Sequence, residues 1–66
     1  MDFEKAELTE AKRQIDSILH KLRETIKTLE AKENPQRYRS QVTLARRRIA
    51  ALEIASALIE RESRPS

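Results

Sequence analysis

The chain is 66 residues long, has no cysteine and no glycine, and carries a net charge of +3. So short a chain holds one domain at most, and without cysteine it has neither disulfides nor thiolate metal ligands. Below about 70–80 residues a single core rarely supplies more than a few kcal/mol, so self-association is the remaining route to a stable core.

Charged and hydrophobic residues each make up 38 % of the chain, mostly Ala, Glu, Lys, Leu, Arg and Ile. That mixture is typical of long helices and too apolar for a disordered segment. The opening MDFEKAELTE is acidic and lacks the apolar core of a signal peptide. No apolar run approaches the roughly 18 residues of a membrane span. The expectation is a cytoplasmic protein with no membrane partner.

Asp2 is the expected N-cap of a first helix over about 3–31, with Glu4 and Glu7 in the turns where a helix dipole favours anions. Leu8, Ala11, Ile15, Ile18, Leu22 and Leu29 recur at steps of three and four, with Thr25 filling the gap. Leu19 and Ile26 widen this stripe to one side. Asp16, His20 and Glu24 follow at i, i+4 and i+8 on a face pointing away from that stripe. Three such side chains could in principle ligate a metal, but no fourth group converges on them. They read as a solvated face, so no metal or other cofactor is expected.

The break falls at 32–34. Asn34 is a good N-cap and Pro35 suits the first position of a helix. Proline also pushes the preceding residue out of helical conformation. A second helix is expected over about 35–62, followed by a frayed tail, 63–66. The alternative, one kinked helix through Pro35, would cost about 3 kcal/mol. Folding back at Asn34 predicts an antiparallel hairpin with layers Leu8–Ile59, Ala11–Ser56, Ile15–Leu52, Ile18–Ile49, Leu22–Ala45, Thr25–Val42 and Leu29–Tyr38. Tyr38 plugs the loop end and Phe3 lids the other.

The second helix is apolar on more than one side. Val42, Ala45, Ile49, Leu52 and Ile59 form its inner line, with Ser56 in the one polar slot. Leu44, Ala51, Ala55 and Leu58 form a flank that a lone partner helix cannot cover. This flank is the expected oligomer interface. The fold class follows: all-α, an antiparallel two-helix, coiled-coil-like hairpin that dimerises into a four-helix bundle. The partner is a second copy, with another protein as the further possibility.

Arg37, Arg39, Arg46, Arg47 and Arg48 lie between Glu33 and Glu53 with no acid among them. Arginine suits phosphate, so Arg39, Arg46 and Arg47 are the candidates for contact with RNA or DNA. No aromatics interleave for base stacking, and a solubilising rim explains the same residues. No nucleophile–base set, glycine-rich loop or buried carboxylate pair can be assembled, and His20 is the only histidine. The expected function is a non-enzymatic interaction module.

Two near-equal helices joined by a very short turn resemble the plasmid-encoded repressor of primer family, whose dimeric bundle binds pairs of RNA loops. The resemblance is one of length and layout, and it implies the dimeric bundle. That family's Phe-bearing RNA face has no counterpart here, so no functional residue carries over.

Overall fold

The computed structural model describes residues 2–64. Two helices, α1 (Lys5–Glu30) and α2 (Arg39–Ser63), pack against each other along their length. A short 3-10 helix, Pro35–Tyr38, joins them. Among the described residues there is no strand. The hairpin is elongated, 49 × 16 × 15 Å.

α1 begins later than the sequence implies. Its N-cap is Glu4 and not Asp2. The Glu4 backbone N–H donates to the Glu7 carboxylate at 3.3 Å, so an acid three residues on satisfies a free donor at the helix start. At the other end the Ala31 N–H reaches the Lys27 carbonyl and the Lys32 N–H the Leu29 carbonyl. The chain then leaves the helix, and Asn34 is extended at φ −121°, ψ 74°. Asn34 caps through its backbone: its carbonyl accepts from the Arg37 N–H at 3.1 Å, and its side chain makes no capping bond. Pro35 has no N–H to satisfy and sits where none is needed. The second helix therefore starts as a 3-10 turn and becomes α-helical only at Arg39. It ends at Ser63, whose hydroxyl donates to the Ile59 carbonyl at 2.9 Å. Of the tail 63–66, Ser63 is thus helical, while Pro65 and Ser66 lie outside the described residues.

The inner line of α2 is as its spacing implies. Ala45 and Ser56 are buried, and Val42, Ile49, Leu52 and Ile59 are half-buried. The inner face of α1 differs. Leu19 is 5 % exposed, whereas Ile18 is 45 % exposed. Ile26 is buried and Thr25 is exposed, its hydroxyl bonded back to the Lys21 carbonyl at 2.9 Å. The inner face is turned by only part of a residue position: Leu19 and Ile26 take the places expected for Ile18 and Thr25, while Ile15, Leu22 and Leu29 stay on it. The reason is chemical. Ile15, Leu19, Leu22, Ile26 and Leu29 form an unbroken apolar line at steps of four and three, whereas the line through Ile18 and Thr25 buries a threonine.

The register moves as well. Ser56 meets the turn between Lys12 and Asp16, not Ala11. Glu53 pairs with Arg23 at 2.9 Å and Arg46 with Glu30 at 2.8 Å. Each α1 partner lies nearer the loop than the expected layers place it. The 3-10 segment accounts for this, because Pro35–Tyr38 belong to the connection and the apex falls later in the chain. Tyr38 is half-buried in that turn, with the Lys32 ammonium 5.9 Å from its ring centroid. At the far end Phe3 joins Leu8, Ala11 and Ile59 around an open groove but remains 55 % exposed. It covers that end only in part.

Candidate functional site

The core is thin. Among the described residues four apolar side chains are buried, Leu19, Ile26, Leu29 and Ala45, and none of these is wholly removed from solvent. The other apolar residues of the inner lines are half-buried, and the position of the exposed apolar residues follows from the two inter-helix ion pairs. Arg23 follows Leu22, Glu30 follows Leu29, Arg46 follows Ala45 and Glu53 follows Leu52. Residues that immediately follow inner positions therefore bridge one edge of the hairpin. In an antiparallel pair, residues that immediately precede inner positions line the opposite edge. These are Ile18 before Leu19, Arg48 before Ile49 and Ala55 before Ser56.

Beside that second edge runs the outer flank of α2. Leu44 is 46 % and Leu58 is 52 % exposed, and Ala51 between them is exposed. Ala55 is half-buried at the boundary. All four residues expected at an oligomer interface thus keep accessible surface. Ile54, at 63 %, is the most exposed large apolar residue. The sequence reading missed it, although it lies three residues after Ala51 and four before Leu58. Ile18 also escaped as an edge residue because it was placed in the core.

The Arg-rich stretch is split. Arg46 is held by Glu30 across the ion-paired edge. Arg39 and Arg47 flank a shallow groove with Ser40, Thr43 and Leu44. Arg37, Arg39, Arg47 and Arg48 make no ion pair among the described residues. Of the three arginines proposed for phosphate contact, Arg39 lies between the other two, sharing one groove with Arg47 and another with Arg46, which is paired with Glu30. Tyr38, between Arg37 and Arg39 in the chain, lies in the turn with the Lys32 ammonium over its ring.

One polar cluster sits between the helices. Lys12 Nζ donates to Asp16 Oδ2 at 2.9 Å and to Ser56 Oγ at 3.2 Å. Ser56 Oγ in turn donates to Asp16 Oδ1 at 3.1 Å. The three groups satisfy one another, so the buried Ser56 hydroxyl has partners on both sides. Asp16 stays exposed, like His20 and Glu24, but unlike what its spacing implied it also reaches the second helix through Ser56. Among the described residues no group of three or more His, Cys, Asp or Glu could hold a metal ion.

The hydrogen bond from Lys12, then that from Ser56, holds the Asp16 carboxyl below the usual carboxylate range. The hydrogen bond to Asp16 raises the Lys12 ammonium above its ordinary value. A depressed carboxyl contributes stability that is complete above its unfolded pKa and lost as pH falls through the folded one. A raised ammonium contributes stability that is complete below its unfolded pKa and lost as pH rises through the folded one. The melting temperature should thus be flat through neutral pH and fall on both sides. Asp16→Asn should flatten the acid limb in thermal melts followed by circular dichroism. An acid limb unchanged in the variant would remove Asp16 from the account.

Comparison of the chain with protein families, curated proteins and solved structures finds no match. Among the described residues no helix is long and apolar enough to cross a membrane. The class defined here is a bare helical hairpin with one ion-paired edge and one apolar flank.

Proposed function

We propose that the chain is a small, non-enzymatic, cytoplasmic helical module that acts through protein–protein interaction, first with a second copy of itself. Two hairpins close into a four-helix bundle by covering the flank of Leu44, Ala51, Ala55 and Leu58, which Ile54 extends. The observation that carries this reading is the imbalance between a thin core and a well-stocked outer flank. Apolar burial stabilises by roughly 25 cal/mol per Å², and the hairpin leaves that gain unrealised on one side. Contact with RNA or DNA through Arg39 and Arg47 is the lesser reading, since Arg46 is already paired with Glu30 and the one nearby aromatic, Tyr38, is half-buried in the turn.

Light scattering at micromolar concentration should return twice the mass of one chain. Leu44→Glu combined with Leu58→Glu should return the mass of one chain, because both positions are exposed in the single hairpin and charged only at the interface. A one-chain mass for the unmodified protein would overturn the reading.

A further inference from the structure

We infer that the two copies join through α2 packed antiparallel on α2, crossing at Ala51, so that Leu44 of each copy meets Leu58 of the other. This rests on the homo-oligomeric reading above and adds the surface used and the direction of the mated helices.

Leu44, Ala51 and Leu58 are spaced by seven residues, close to two helical turns, so they fall on one line. The line is about 21 Å long at 1.5 Å per residue. Its order is large, small, large. Reversing it about Ala51 reproduces the same order, as a twofold contact between identical surfaces requires. The small residue at the centre lets two backbones approach, and the two leucines flank the crossing on either side. Ile54 lies beside this line and is the most exposed large apolar side chain among the described residues.

Charge chooses the direction. Arg39, Arg47 and Arg48, which make no ion pair among the described residues, occupy the first part of α2 with no acid among them. Glu60 and Glu62 occupy the later part with Arg61, and Glu60 is paired with Arg64 just past the end of the helix. A parallel, in-register pair would set Arg47 and Arg48, on the side of the flank, against their own copies. An antiparallel pair sets the basic half of one helix against the acid-bearing half of the other. Like charges in apposition disfavour the first arrangement, and opposed helix dipoles favour the second. The opposite edge, bridged by Arg23–Glu53 and Glu30–Arg46, has its charges already matched within one chain and offers no comparable apolar line. Self-complementarity in both size and charge is what makes a second copy, and not an unrelated protein, the occupant.

The chain contains no cysteine, so single cysteines report contacts directly. Leu44→Cys and Leu58→Cys variants, each with a helical circular dichroism spectrum and a dimer mass, are treated with a short bifunctional maleimide. Each alone should give little covalent dimer, and the mixture should give a strong mixed product. Ala51→Cys alone should cross-link to itself. Self-linking of Leu44→Cys as efficient as the mixture would overturn the antiparallel geometry. So would a dimer mass with no product from any of the three variants. Both results leave the homo-oligomeric reading standing, whereas a one-chain mass for the unmodified protein overturns both.

Discussion

Leu19→Ala is expected to destabilise the protein by about 2–5 kcal/mol, the usual range for truncating a buried leucine. Leu19 is among the most buried side chains of the described residues, at 5 % exposure. In so short a chain the total stability is only a few kcal/mol, so the variant should be largely unfolded at 25 °C. The informative comparison is Thr25→Val. On the stripe first expected for the first helix, Thr25 is a polar gap in the core and a valine there would stabilise. In the structure Thr25 is exposed and bonded to its own helix, so the change should stay within about 0.5 kcal/mol. Chemical denaturation of both variants checks the pair of values. A small loss at Leu19 together with a clear gain at Thr25 would mean that α1 presents the other face.

Ala45→Leu is expected to cost about 1–3 kcal/mol through overpacking. Ala45 is the smallest of the buried apolar residues and is 6 % exposed. A side chain that small is buried only where the facing helix comes close, so a leucine must push the helices apart or leave its preferred rotamer. The same substitution at the exposed Ala6 adds a similar volume with nothing above it and should change stability by no more than about 0.5 kcal/mol. Equal effects at Ala6 and Ala45 in thermal melts would show that the helices do not approach closely at Ala45.

Much of the fold was legible because short-range chemistry decides it. The Asn34-Pro35 step interrupts the helix: proline lacks a donor and restricts the residue before it. Two long runs of three- and four-residue apolar spacing on either side can only be helices. The inner line of α2 was readable for the same reason, since Val42, Ala45, Ile49, Leu52, Ser56 and Ile59 offer no competing alternative. The outer flank was readable in Leu44, Ala51 and Leu58, though Ile54, a residue with no heptad partner on that line, was not.

The inner face of α1 was ambiguous. Ile15, Leu22 and Leu29 belong to two overlapping apolar lines, one through Ile18 and Thr25, the other through Leu19 and Ile26. Local spacing weighs them almost equally. The difference is a threonine, which is cheap to bury in a pattern and less favourable in a packed interface than an isoleucine. Only the second helix, laid against the first, selects between them.

The sequence by itself thus determined that the chain is helical, where it turns, and which side of α2 faces inward. Each is set by bonds and contacts within a few residues of one another. Tertiary structure decided the rotation of α1, the register of the two helices and the identity of the polar cluster. The register depends on how many residues the 3-10 turn takes up before α2 begins, and the cluster on Lys12, Asp16 and Ser56 meeting across a gap spanning some two-thirds of the chain. Such contacts carry no local signature, because their energy exists only once the helices are side by side.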